Sequence, residues 1–172
     1  MHFPVFADIG DKPCLVVGAG TLAARKARIL EDFGARIVQV SPETCGRPFV
    51  DSDIDGMALV VAATGDRAVN RRVAGLCREK GIPVNVVDDP ENCTFFFPAV
   101  FRKGPMVVAV SSGGACPAAA KMVRDRIAGL VPDGFAAEVE RLGASREKLK
   151  KDIPDPARRS RFCEEELKKW FD

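Results

Sequence analysis

Between an apolar run and a helical repeat, residues 18–23 read Gly18-Ala19-Gly20-Thr21-Leu22-Ala23, and this turn limits the fold more than any other stretch. Cys14-Leu15-Val16-Val17 ahead of it is short and apolar and stops at Gly18, which predicts a buried parallel strand. From Thr21 to Phe33 the pattern turns helical, with Ala23, Ala27 and Leu30 on one face and Gly34 as the stop. In a GxGxxA turn set between strand and helix, the first glycine permits the bend. The second lets backbone approach a pyrophosphate, and the alanine lets helix and strand pack closely. The helix start adds free N–H groups and the positive end of a dipole. Gly18, Ala19, Gly20, Thr21 and Leu22 are therefore the expected phosphate contacts. The bland alternative is a flavodoxin-like turn in which the glycines only shape the backbone.

Alternation continues downstream. Strands are predicted at Arg36–Val40, Leu59–Ala63 and Val84–Val87, with a helix over Arg67–Lys80 whose Val69, Val73 and Leu76 point inward. Ser41–Gly56, rich in Pro, Gly and Asp, is expected to be mostly loop. Strand alternating with helix implies a parallel sheet with helices on both faces. Past residue 95 the character shifts. Phe95-Phe96-Phe97 with Val100-Phe101 reads as one strand, Arg102–Pro105 as a turn and Met106–Val110 as the partner strand. A helix follows at about Pro117–Leu130, with Ala120, Val123, Ile127 and Leu130 on one face, and Pro132-Asp133-Gly134 ends it. Two more helices are expected near Phe135–Lys151 and Ala157–Phe171. The fold class is thus α/β: a Rossmann-type sheet over 1–95, a hairpin-helix dimerisation and substrate segment over 96–131, and a helical segment over 132–172. A hairpin with one helix cannot bury both its faces, so a homodimer is expected through this segment.

Composition narrows the chemistry. There is no Tyr and only one His, His2, which removes Tyr-Lys acid–base pairs and makes His-based triads and His-rich metal sites poor explanations. The cysteines Cys14, Cys45, Cys77, Cys93, Cys116 and Cys163 show no CxxC spacing and read as small apolar fillers, with no resident metal expected. A formal net charge of +2 argues against a general nucleic-acid partner. No apolar run is long enough for a membrane span, and the start lacks a secretory pattern, so a cytoplasmic protein is expected. The second strand ends Val40-Ser41-Pro42-Glu43 where an acidic residue usually meets the ribose. Ser41, Pro42 and Glu43 are candidates for that contact, while Arg36 or Arg47 would accommodate a 2′-phosphate. NAD is the expected cofactor, with NADP left open. Thr64, after the third strand, is a further cofactor candidate, and Asp66 is expected to cap the next helix.

Three segments taken together, residues 18–28 (GAGTLAARKAR), 85–90 (NVVDDP) and 108–114 (VAVSSGG) with Pro117, resemble the precorrin-2 dehydrogenase family, the N-terminal module of sirohaem synthase. Phe3-Pro4-Val5-Phe6 is similar to the family's opening, and the likeness runs in order over about residues 3–130. The resemblance implies NAD-dependent oxidation of the tetrapyrrole precorrin-2 to sirohydrochlorin by an intertwined homodimer, with metal insertion in some members. It places the family's key aspartate at Asp88 and an active-site serine at Ser112. The stretch between the second and third strands is short for the family. The chain also carries no match to the methyltransferase part of the fused enzyme, so methylation is not expected of it.

Read from chemistry alone, Asp88 at the edge of the fourth strand serves either as a base or as a turn residue beside Asp89. The substrate is rich in carboxylates. Ser111, Ser112, Gly113 and Gly114 ahead of a helix suit an anion, with Lys121 and Arg124 as candidate cations and Ser112 equally suited to capping that helix. Two rival functions remain: a dinucleotide-sensing module without turnover, and a chelatase without dehydrogenase activity.

Overall fold

The computed structural model describes residues 2–171, which divide into two compact units, Phe3–Phe96 and Phe97 onward. In the first unit, β1 (Pro13–Val17), β2 (Arg36–Val40), β3 (Leu59–Ala62) and β4 (Val84–Val86) form one sheet in the order β2-β1-β3-β4. Every pairing is parallel, with Cys14 opposite both Ile37 and Leu59, and Val60 opposite Val84. Strands β1, β3 and β4 contain almost nothing but buried apolar residues, the pattern of strands covered on both faces.

Helix α1 (Gly20–Glu31) buries Ala23, Ala27 and Leu30. A second core gathers Leu15, Val17, Val60, Ala62, Val84 and Val86 with Val73, Ala74 and Cys77 of α3 (Arg67–Glu79). Because side chains alternate along a strand, Cys14 and Val16 take the opposite face, where α1 packs. Burial pushes the Cys77 thiol up to about 11, so it behaves as an apolar filler. The 41–56 connection is more ordered than the sequence suggested. It holds a one-turn helix α2 (Pro42–Cys45) and a 3-10 turn at Asp51–Ile54. Ser41 caps α2 and Pro42 sits in its first turn, so the same polar residues that read as loop are local start signals.

The second unit opens with the antiparallel hairpin β5 (Ala99–Lys103) and β6 (Met106–Val110). Phe95, Phe96 and Phe97 are not part of it. Pro98 supplies no N–H for a ladder, and the N–H groups of Thr94 and Phe95 go to the Val84 carbonyl instead. The strand also runs on through Arg102 and Lys103, leaving Gly104-Pro105 as the turn. Helix α4 (Pro117–Ala128) packs on the hairpin. Its buried side differs from the expected stripe: Ala120 is buried and Ile127 half-buried, but Val123 is 45% and Leu130 62% exposed. Arg124 takes the inward place, its Nη1 donating to the Val100 carbonyl at 3.1 Å. The helix expected over Phe135–Lys151 is two, α5 (Phe135–Ala144) and α6 (Arg146–Asp152), broken at Ser145, whose hydroxyl donates to the Arg141 carbonyl. Such back-bonding competes with the helical ladder. Helix α7 (Pro156–Lys168) follows, and Phe135 meets the edges of Trp170 and Phe171.

Candidate active site

The strand order reverses about β1, so the crevice where ligands collect in such sheets opens at the carboxyl ends of β1 and β3. Backbone bonds line up that edge: Gly18 N–H to the Val40 carbonyl, Ala63 N–H to Val17 and Val87 N–H to Ala62. Gly18, Ser41, Thr64 and Asp88 therefore leave neighbouring strands at one edge.

Gly18 has φ 122°, and a Cβ there would lie 2.4 Å from the Ala63 carbonyl oxygen. The first glycine is thus required by the close approach of β1's exit to β3's exit. Gln39 Nε2 donates to the Gly18 carbonyl at 2.9 Å and steadies the turn. Gly20 also has positive φ, 88°, but a Cβ there would meet nothing within 4 Å. The space a side chain would fill is open, as a pyrophosphate needs. Unlike α2 and α3, α1 has no side-chain cap, and its first turn holds no acid. The residues present therefore fit the diphosphate of a dinucleotide, which the N–H groups of Gly20, Thr21 and Leu22 would hold.

After β2, Ser41 is 4% exposed and its hydroxyl accepts the Thr44 N–H at 3.1 Å. Glu43 is exposed in the first turn of α2. Arg36 stands at the start of β2, opposite Pro13 and thus at the far end of the strand from this edge. Arg47 forms a two-pronged pair with Asp53 at 2.8 and 2.6 Å. That bond holds the Asp53 carboxyl below its ordinary value and raises the guanidinium.

Thr64 is held from an unexpected quarter. Asn70, 5% exposed on α3, accepts from the Thr64 N–H at 3.1 Å, lies 2.7 Å from its hydroxyl and donates to its carbonyl. Asp66 caps α3 as expected, accepting from Ala68 N–H at 2.7 Å. We expect Asn70→Ala to cost about 1–3 kcal/mol in urea unfolding, because it strands buried groups of the Thr64 loop. No measurable change would show that the loop stands without this anchor. Asn70 was missed in the sequence, where the one signal was an amide on a helix's apolar face.

Asp88 follows β4, is exposed, and has φ 58°, in the left-handed region uncommon for a side-chain-bearing residue. Among the described residues no hydrogen bond or ion pair engages its carboxylate. Asp89 is the turn residue, its carboxylate accepting from Asn92 Nδ2 at 2.8 Å. Asn85, buried in β4, donates to the Phe95 carbonyl at 3.0 Å and fixes the strand that carries Asp88.

In the second unit, Ser111 accepts the Gly113 N–H and Ser112 accepts the Cys116 N–H, at 3.1 and 3.0 Å. The Ser112 hydroxyl thus joins the start of α4 and keeps its proton to donate elsewhere. Gly113 and Gly114 have φ 65° and 88°, and the first turn of α4 carries no acid. Lys121 is exposed. Arg124 is engaged with Val100 and Asp125, and its Nε is buried without a partner among the described residues. A cavity of about 410 Å³ between α5, α6 and α7 is lined by none of the candidate residues.

Residues 5–99 match the model of a family described as putative NAD(P)-binding, and residues 103–130 match one described as sirohaem biosynthesis protein central. The chain is 41% identical to the Siroheme synthase of Thioalkalivibrio sulfidiphilus over 94% of its own length and 36% of that protein. With the Siroheme synthase of Methylococcus capsulatus it shares 38% identity over 96% of its length and 38% of the relative. It therefore spans less than two fifths of these relatives. The solved structure of SirC, precorrin-2 dehydrogenase, superposes with a TM-score of 0.69 at 23% identity, covering 95% of this chain and 88% of that one. At that identity the likeness establishes the fold.

Proposed function

The chain belongs to the putative NAD(P)-binding family matched by residues 5–99, and on that premise we propose that it oxidises precorrin-2 to sirohydrochlorin with NAD. The observation that carries this reading is the uncapped, acid-free start of α1 at the same sheet edge as the unengaged carboxylate of Asp88. Kinship with siroheme synthases and the likeness to a precorrin-2 dehydrogenase supply the substrate class. The bound nicotinamide supplies the hydride acceptor.

The chain's residues hold, orient and move a proton. The N–H groups after Gly18 would hold the diphosphate, and Glu43, exposed after β2, would receive the adenosine ribose. Loss of two hydrogens as a hydride and a proton requires a base, and Asp88 accepts the proton. The loop Ser111–Gly114 offers N–H donors and the Ser112 proton to substrate carboxylates, with Lys121 as the cation beside them. Arg124, engaged with Val100, is the weaker substrate candidate. The reading includes a cytoplasmic homodimer formed through the second unit. Exposed Met122 and Val123 on α4, and Leu130 just past its end, support the homodimer. No helix among the described residues is long and apolar enough to cross a membrane.

The test is anaerobic turnover of enzymatically generated precorrin-2, followed by reduced nicotinamide and the product's visible spectrum. We expect NADH and sirohydrochlorin to form in equal amounts. Dinucleotide binding without turnover would replace this reading with that of a sensing module.

A further inference from the structure

We infer that Asp53 sets the dinucleotide preference by clasping Arg47, so that this cation, in the connection just after β2, is withheld from a 2′-phosphate. The inference rests on the proposed dinucleotide site and deepens it. A Rossmann-type edge tells NAD from NADP just after β2, where an acid receives the 2′-hydroxyl or a cation receives the phosphate. This chain has both kinds of residue there, Glu43 and Arg47, and the sequence leaves the choice open. The structure decides between them.

Both terminal nitrogens of Arg47 donate to Asp53, Nη1 to Oδ2 at 2.8 Å and Nη2 to Oδ1 at 2.6 Å. Nη1 also donates to the Pro48 carbonyl at 3.1 Å. The paired fork is the face of a guanidinium best suited to a phosphate, and here a carboxylate occupies it. Asp53 is itself fixed. Its side chain retains 9% exposure, and its Oδ2 also accepts the Val50 N–H at 2.9 Å at the start of the 3-10 turn. Arg36, the other basic candidate, is at the opposite end of β2. Glu43, by contrast, is an exposed acid in the first turn of α2, and such a group attracts hydroxyls and repels a phosphate dianion. Asp53 is thus a positioning residue: it acts on selectivity through Arg47.

The test is calorimetric binding of NAD+ and NADP+ to the wild-type chain, Asp53→Asn, Arg47→Ala and the double variant, with melting curves as the fold control. For Asp53→Asn we expect NADP+ affinity to rise about tenfold or more while NAD+ affinity stays within about threefold. Adding Arg47→Ala should remove that gain. Arg47→Ala alone should leave wild-type NADP+ affinity within about twofold, since the cation is already masked. An unchanged NADP+/NAD+ ratio in a folded Asp53→Asn overturns the inference. So does a large loss of NADP+ affinity in Arg47→Ala alone, which would make Arg47 an existing phosphate ligand. The second result decides the matter if Asp53→Asn fails to fold. Absence of binding by the wild type to either dinucleotide would instead remove the site itself.

Discussion

Asp88→Asn is expected to leave the fold intact and to slow precorrin-2 oxidation by about a hundredfold to ten-thousandfold, the range lost with a general base. The choice of asparagine follows from the backbone. At φ 58° a residue with a Cβ is strained, and Asn and Asp are the side chains that accept this region most readily. Asp88→Ala would mix a lost carboxylate with roughly 1 kcal/mol of added strain. Asp88→Gly offers a second clean test, because relief of strain offsets the greater freedom of the unfolded chain to within about 1 kcal/mol. Both variants should melt near the wild type and both should be nearly inactive. Turnover within about threefold of wild type in folded Asp88→Asn would dismiss the carboxylate as the base.

The two glycines of the turn should fail in different ways. Gly18→Ala sets a methyl group 2.4 Å from the Ala63 carbonyl oxygen and at positive φ. Strain and overpacking together cost roughly 2–6 kcal/mol, a large part of a typical domain's stability. The variant should melt well below the wild type or fail to accumulate. Gly20→Ala meets open space and bears only the cost of its φ, about 1–2 kcal/mol. It should fold, yet bind NAD at least about tenfold more weakly, because the methyl group would stand where the proposed site receives the diphosphate. Calorimetry on both proteins checks this, and equal losses of stability in the two would refute the division of labour.

The parts legible in the sequence are those fixed by local chemistry. β1, α1, β2, α3 and β4 follow from apolar runs, helical spacing and caps such as Asp66, and each element's position was readable within a residue or two. The apolar stripe proposed for α4 was wrong because Arg124, long enough to reach the Val100 carbonyl, takes an inward place that periodicity assigns to Val123. The triple phenylalanine misled for a similar reason: its residue types favour strand, but Pro98 and the competing Val84 carbonyl deny it a ladder. At the site, the glycine turn and Asp88 could be named from motif and position. Asn70 and Asp53 could not, since each matters through a side-chain partner six residues away that no periodic pattern encodes.

The central place of β1 carries a consequence for how the chain is made. Cys14 pairs with Ile37 on one side and with Leu59 on the other. A ribosome adding about 5–20 residues per second reaches the second partner, about 45 residues downstream of Cys14, roughly 2–9 s after it has made the strand. Through that interval Cys14, Leu15, Val16 and Val17, fully hidden once the sheet is complete, have one hydrogen-bonding edge open, and the Leu15 and Val17 face still lacks α3, which is made later. Parallel pairing offers no nearby hairpin to close it sooner. The residues that make the finished sheet durable thus make the nascent chain, for those seconds, a natural client for a chaperone.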